Sequence, residues 1–221
     1  TMANSTSSSR TTAVVQPAKP ADYRYDVFIS YPHEPNLMGW VQRYFGPELQ
    51  SAISNQLQRK IAPRIFLDRW EIKTGEEWER RLGHALRESI YLVPVLSAAY
   101  LRSKWCMTEL DAFLHRERTQ RLIAADGSGG LVQPVLWVKL ETLPKKIGRK
   151  QFTDLSAYAW NTQAFANSQQ YLAFQQEVRA FAAQLCRAGY FKMPPAKAAL
   201  NVNKRHANAQ PPRNMVRPRI K

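Results

Sequence analysis

A tryptophan and a glutamate lie one helical turn apart in the segment YLRSKWCMTEL (100–110). Trp105 and Glu109 are four residues apart, a spacing that places both side chains on the same face of a helix. A carboxylate there can stabilise a developing positive charge, and an aromatic ring can pack against a ligand and exclude water. The alternative is structural: Glu109 is an exposed charge that interacts with the helix dipole, and Trp105 anchors the core.

The other reactive residue types favour neither a metal site nor a thiol nucleophile. Cys106 is predicted to be a packing residue, because no histidine is evident as its activating base. The two cysteines fit a reducing compartment, and the four histidines are too scattered to bind a metal. The sequence shows neither a signal-peptide pattern nor an apolar run of the roughly 18 residues that a membrane span needs. We therefore expect a cytoplasmic protein with no metal site and no membrane contact.

Strands and helices alternate around this segment. Apolar helical spacing predicts helices over 37–57, after Thr74, from the WCMTEL segment to about 121, and over 168–187, with a kink at Pro47. β-Branched and aromatic runs predict four strands and a short fifth, over 23–31, 64–68, 90–97, 131–140 and 157–160. This pattern predicts an α/β fold, a doubly wound parallel sheet of four to five strands with helices on both faces. Ligands of such sheets bind at the carboxyl ends of strands, where Tyr31, Asp68 and Ser97 fall.

The formal net charge of +15 comes mainly from the two ends of the chain. Residues 22–177 contain 20 basic residues and all 17 acidic residues, whereas 178–221 contain ten basic residues and no acidic one. We predict a disordered N-terminal tail over 1–21, a domain over 22–189, and a basic flexible C-terminal tail or linker over 190–221. The alternative role of the basic tail is weak, non-specific binding of nucleic acid, although no aromatic residues are interleaved with its charges.

Three sequence blocks resemble the Toll/interleukin receptor (TIR) domain family. YDVFISY matches the family's opening strand, FLDRWEIKTGEEW its long loop after the second strand, and IYLVPVLSAAYLRSKWCMTEL its third strand and following helix. The blocks occur in the family's order over about 90 residues, and the alternation of strands and helices extends the similarity to roughly 22–188. The resemblance implies a flavodoxin-like fold.

The resemblance also implies a site. Enzymatic TIR domains split NAD+ at the nicotinamide–ribose bond, and the position of their catalytic glutamate is Glu109 here. NAD+ is then the substrate, and no cofactor is expected. The family pattern places five further residues at or near the substrate: Tyr31, His33, Asp68, Ser97 and Trp105. His33 departs from the basic residues of some enzymatic members, and Ser97 has the alternative of capping the strand end.

The chemistry explains why one carboxylate is enough. Nicotinamide leaves NAD+ as a neutral molecule, so the reaction needs little acid catalysis. The oxocarbenium-like ribosyl centre needs stabilisation, and a carboxylate can supply it or hold the ribose hydroxyls.

The loop after the second predicted strand is implied to close the pocket and to make assembly contacts. Its candidate residues are Arg69, Trp70 and Ile72, of which the last two are apolar groups among charges. Such groups are costly to expose unless a partner covers them. The resemblance implies that the partner is a second copy docked head-to-tail, a contact that does not close and yields homo-oligomeric filaments.

Two functions of different classes stay open. The first is an NAD+ glycohydrolase or cyclase activated by self-association, in the bacterial antiphage or stress defence that relatives suggest. The second is a non-catalytic TIR module that signals through homotypic assembly. Glu109 beside Trp105 favours the enzyme. A fused or separate sensor domain is an expected partner in both cases.

Overall fold

Five short apolar segments form one parallel sheet. The computed structural model describes residues 23–57, 63–67, 82–120, 122, 129–148 and 150–187. The strands are β1 (Tyr25–Ser30), β2 (Ile65–Leu67), β3 (Ser89–Leu96), β4 (Val135–Leu136) and β5 (Thr153–Asp154). Their order across the sheet is β2-β1-β3-β4-β5, and every neighbouring pair is parallel. This is the flavodoxin-like order, and it confirms the predicted fold class.

Helices cover both faces of this sheet. They are α1 (Pro35–Trp40), α2 (Gly46–Leu57), α3 (Ala98–Arg102), α4 (Lys104–Gln120), α5 (Gln163–Ala166) and α6 (Gln169–Arg187), and residues 82–87 are also helical. The first core lies between the sheet and α1, α2 and α6, and the second between the sheet and 82–87, α3 and α4. All eight residues of β3 are buried, as expected for a central parallel strand covered on both faces.

The helix predicted over 37–57 is irregular just before Pro47. A π-helical turn over Val41–Phe45 joins α1 to α2, and the Gly46 N–H donates to the carbonyl of Val41. Pro47 has no N–H to continue the ordinary hydrogen-bond ladder, so the preceding turn adopts the wider spacing. The predicted kink is therefore accommodated as a π-turn inside a nearly continuous helix.

The last two strands differ from the prediction. β4 is much shorter than the predicted 131–140. It starts late because Pro134 cannot donate to the ladder, and Val132 forms only an isolated bridge with Leu92. The predicted fifth strand at 157–160 is wrong. β5 lies earlier, at Thr153–Asp154, and Ser156–Tyr158 form a 3-10 helix. The Ser156 N–H donates to the Asp154 carboxylate over 2.9 Å, which turns the chain out of the strand.

Buried charges fasten the carboxyl half of α4 to the amino end of the sheet. Glu117 Oε1 accepts from the Val132 N–H and from Lys150 Nζ, both over 2.7 Å. Arg116 Nη2 donates to the carbonyls at the start of β3, Ser89 at 2.9 Å and Ile90 at 2.8 Å. Burial lowers the pKa of the Arg116 guanidinium to about 10, so it stays charged at neutral pH. The helix that carries Glu109 is thus held at its far end.

A glycine makes room for this buried ion pair. Gly130 has a φ of +88°, and a Cβ built there would lie 2.3 Å from Glu117 Oε1. Both the backbone conformation and the close approach of the carboxylate require glycine at this position.

The predicted tails, 1–21 and 190–221, lie outside the described residues. No helix among the residues that the structure describes is long and apolar enough to cross a bilayer.

Candidate functional site

The site lies where the strand order reverses. β1 and β3 are neighbours in the sheet, and the chain continues from them toward opposite edges. Ligands of doubly wound sheets bind at this crevice, outside the carboxyl ends of the two strands. Ser30 ends β1, and Ser97 directly follows β3. The carboxyl ends of β1 and β3 therefore define the candidate site.

Glu109 points into this crevice from the second turn of α4. The buried side chains of α4 form one stripe, and Glu109 falls within it: Cys106, Glu109, Leu110, Phe113, Leu114, Arg116 and Glu117. Glu109 is only 3 % exposed, so it is not the exposed helix-dipole charge of the structural alternative. Burying a carboxylate costs free energy unless hydrogen bonds compensate, and Ser30 Oγ donates to its Oε2 over 2.5 Å.

Tyr100 completes a small buried network. Its hydroxyl lies 3.1 Å from Ser30 Oγ and donates to the Cys106 carbonyl over 3.2 Å. Burial is the main cause that raises the pKa of Tyr100 well above its ordinary value, and the nearby Cys106 and Glu109 raise it further. The phenol therefore keeps its proton and remains a donor.

Ser30 and Tyr100 were missed as site residues by sequence reasoning. The signal for Ser30 was a hydroxyl at the end of the otherwise apolar strand YDVFIS. The signal for Tyr100 was its place in the Ser-x-x-Tyr pattern that begins at Ser97. Neither signal identifies the contacts of Ser30, because Tyr100 and Glu109 lie 70 and 79 residues away from it in sequence.

Cys106 is a packing residue, as predicted. It is buried in the second core, and burial, followed by the charge of Glu109, raises the pKa of its thiol. A protonated thiol is a poor nucleophile.

Ser97 and Trp105 flank this network. Ser97 Oγ accepts from the Tyr100 N–H over 3.1 Å and caps α3, which supports the capping alternative and also orients Tyr100. Trp105 is half-buried and packs against the second core, one turn before Glu109 on the same helix. A contact of either residue with the substrate stays a prediction.

Tyr31 and His33 follow β1 at the same edge of the sheet. Tyr31 is buried in the first core, and His33 is half-buried. Their rings meet edge to face with centroids 6.3 Å apart. The remaining predicted residues, Asp68, Arg69, Trp70 and Ile72, lie outside the described residues.

A groove in the described part of the chain lies away from this site. It has a volume of about 520 Å³ between β5 and α6 and is lined by residues such as Lys139, Asp154, Tyr158 and Glu177. None of the predicted site residues lines it. The described residues also contain no group of three His, Cys, Asp or Glu side chains placed to hold a metal ion.

Comparison with known families agrees with the strand order and the motif positions. A family model described as "TIR domain" matches residues 27–170. The chain belongs to the TIR domain family.

Curated relatives of this TIR domain include one protein named an NAD(+) hydrolase and others named probable 2' cyclic ADP-D-ribose synthases. "NAD(+) hydrolase TcpA" of Theionarchaea archaeon (strain DG-70-1) is 27% identical over 97 residues, covering 44% of this chain and 26% of the relative. "Probable 2' cyclic ADP-D-ribose synthase BdTIR" of Brachypodium distachyon is 29% identical over 90 residues, covering 39% and 34%. "Probable 2' cyclic ADP-D-ribose synthase TcpB" of Brucella abortus (strain 2308) is 30% identical over 113 residues, covering 51% and 40%. The TIR domain thus aligns with less than half of each of these relatives.

Two solved TIR structures are similar to this TIR domain. The TIR domain of the Toll-related receptor TRR-2 from Hydra magnipapillata has a TM-score of 0.42 and 16% identity, covering 70% of this chain and 98% of that one. The TIR domains of the activated Roq1 resistosome have a TM-score of 0.37 and 23% identity, covering 72% and 83%.

Proposed function

We propose that this TIR domain is an NAD+ nucleosidase that cleaves the bond between nicotinamide and ribose. The observation that carries the proposal is the buried Glu109 carboxylate at the β1–β3 crevice, held by the Ser30 hydroxyl. A side chain needed only for packing at this position would be apolar, because burying a carboxylate costs free energy. A desolvated carboxylate at the ligand-binding edge of the sheet is instead suited to stabilise positive charge.

In the proposed reaction, Glu109 stabilises the cationic ribosyl centre. The C–N bond to nicotinamide breaks, its electron pair leaves with the ring nitrogen, and nicotinamide departs neutral. Glu109 offers negative charge to the oxocarbenium-like sugar or holds its hydroxyls. Water attack then gives ADP-ribose and a proton, and attack by a hydroxyl of the same molecule gives a cyclic product. No electrons are transferred to another molecule, so NAD+ acts as a substrate and no redox cofactor is required.

The names of the curated relatives support the reaction type. One is named an NAD+ hydrolase and the others 2' cyclic ADP-D-ribose synthases. Loss of nicotinamide followed by attack of water or of a hydroxyl of the same molecule is compatible with both names. The TIR family model covers residues 27–170, so this portion of the chain is the expected carrier of the activity.

We also propose that the activity depends on self-association in a cytoplasmic bacterial defence system. The support is the apolar pair Trp70 and Ile72 within the charged loop DRWEIKTGEEW. A sensor domain, fused or separate, would supply the activating signal, and the basic tail over 190–221 is available for weak binding of nucleic acid.

Product analysis tests the proposal. Concentrated protein is incubated with NAD+, and nicotinamide, ADP-ribose and cyclic products are separated by chromatography and identified by mass spectrometry. Glu109→Gln removes the charge at the site, and Glu177→Gln makes the same change at an exposed position of α6 as a control. We expect nicotinamide release by the wild type and the control only. Folded wild-type protein that releases no nicotinamide at any concentration would favour the non-catalytic assembly module.

A further inference from the structure

The hydroxyls around Glu109 are sealed from solvent. Ser30 is 2 % exposed, Tyr100 is fully buried, and Glu109 is 3 % exposed. Buried polar groups must find their hydrogen-bond partners within the protein. The orientation of each group in this network is therefore set by its neighbours and not by water.

The number of available protons determines which atom donates in the hydrogen bond between Ser30 and Glu109. An ionised carboxylate can only accept, and a serine hydroxyl carries a single proton. With Glu109 ionised, the Ser30 proton must point at Oε2 across the 2.5 Å contact. Tyr100 can then give its own proton to the Cys106 carbonyl or to Ser30 Oγ, both within 3.2 Å. In this network Ser30 therefore supplies the donor to Glu109 Oε2.

The contacts close a ring through three elements. Ser30 of β1 holds Glu109 of α4, and Tyr100 of α3 contacts both Ser30 and the backbone of α4 at Cys106. Ser97 caps α3 and accepts from the Tyr100 N–H, so α3 starts at the same edge of the sheet. The short contact with Ser30 limits rotation of the Glu109 carboxylate.

We propose that Ser30 and Tyr100 are positioning residues that act through Glu109. Ser30 orients the carboxylate toward the ribosyl centre, and Tyr100, by donating to Ser30 Oγ, leaves the Ser30 proton for Glu109. This inference rests on the proposed function. If it is correct, part of the catalytic rate depends on the hydroxyl groups of Ser30 and Tyr100, because a freely rotating carboxylate would be slower.

The test separates kcat from KM in single variants. Ser30→Ala removes the donor, and we expect kcat to fall about tenfold to hundredfold, the scale of a misplaced catalytic group, with KM changed by less than about threefold. Ser30→Thr keeps a hydroxyl and should restore most of kcat. Tyr100→Phe removes one oxygen and should lower kcat by a smaller factor.

Two matched controls come from the amino end of the neighbouring strand β3. Ser89 is fully buried and donates to the Ala85 carbonyl over 2.6 Å, and Tyr91 is fully buried and donates to the Leu185 carbonyl over 2.7 Å. Ser89→Ala and Tyr91→Phe remove the same atoms away from the site. They should leave kcat unchanged, and an equal loss of kcat in these controls would overturn the inference.

Double variants decide whether the effect passes through Glu109. In the Glu109→Gln background, Ser30→Ala should lower the residual activity no further, and in the Ser30→Ala background Tyr100→Phe should add nothing. Full additivity in either pair overturns the inference, as does unchanged kcat in folded Ser30→Ala.

An inactive wild-type protein would contradict the proposed function, but the coupling between Ser30 and Glu109 could still be measured. Urea unfolding of Ser30→Ala, Glu109→Gln and the double variant then measures the coupling directly. We expect the effect of the double variant on the unfolding equilibrium constant to differ about tenfold from the product of the two single-variant effects. Additive effects overturn it whatever the substrate is.

Discussion

Ser30 Oγ donates to Glu109 Oε2 over 2.5 Å, joining two residues that are 79 positions apart in sequence. This contact ties the end of the central strand β1 to the second turn of α4 and satisfies a carboxylate on the buried face of that helix. A buried carboxylate needs a hydrogen-bond donor, because an apolar side chain would otherwise pack there at lower cost. From the TIR family membership and the strand reversal beside this contact, we propose that Glu109 acts on a bound ligand.

Removing the charge of Glu109 should abolish most catalysis while the fold survives. We expect Glu109→Gln and Glu109→Ala to lower nicotinamide release from NAD+ by at least about a hundredfold, the scale of losing one preorganised electrostatic contact. Circular dichroism and thermal melts check the fold, and chromatography measures the product. Near-normal turnover in a well-folded variant would make Glu109 a structural residue.

Trp105→Ala should reduce both activity and stability. The ring is half-buried against the second core, so we expect a loss of about 2 kcal/mol in the free energy of unfolding, below the roughly 3–5 kcal/mol of a fully buried ring. Trp160→Ala is the control, since that ring is 53 % exposed and its loss should change little. Unaltered activity in folded Trp105→Ala would remove the ring from the pocket.

Specific activity should rise with protein concentration or crowding. Trp70→Ala or Ile72→Asp should prevent this rise without unfolding the monomer, because these variants remove the apolar loop groups that we expect a second copy to cover. Leu172→Asp, at an exposed position of α6, is the control for adding a surface charge. Enzyme assays and light scattering over a hundredfold concentration range make the comparison. Flat specific activity with only monomer present contradicts the assembly prediction.

The ion pair between Glu117 and Lys150 should contribute strongly to stability. Both side chains are buried, so Lys150→Met leaves an uncompensated carboxylate, and we expect about 3–5 kcal/mol of destabilisation in urea unfolding. Lys146→Met breaks a more exposed pair with Asp111 and should cost less than about 1 kcal/mol. Equal effects of the two variants would show that burial does not set the strength of the pair.

The two cysteines should differ in reactivity. Burial and the neighbouring Glu109 raise the pKa of Cys106, which lowers the fraction of reactive thiolate at any given pH below that value. At about pH 8, near the ordinary thiol pKa, iodoacetamide should therefore modify half-buried Cys186 before Cys106 in the native protein. Mass spectrometry of peptides measures the order, and urea should remove the difference. Faster labelling of Cys106 would contradict the protonated, buried state.

The local features of this protein were predictable from its sequence. Helical spacing placed Trp105 and Glu109 one turn apart, and apolar runs located β1, β2 and β3 to within a few residues. These features depend on neighbours within one or two turns or on alternation along one strand, so they are readable without the fold. The family motifs supplied the order of the elements.

Which side chains contact one another depends on how distant segments pack. The burial of Glu109, its contact with Ser30, and the role of Tyr100 depend on β1, α3 and α4 packing together, and no local pattern encodes contacts over 70 or more residues. The same holds at the other end of α4, where Gly130 leaves room for the Glu117 carboxylate. β5 was misplaced because a two-residue edge strand has almost no periodicity of its own and forms where β4 offers a ladder at Val135–Leu136.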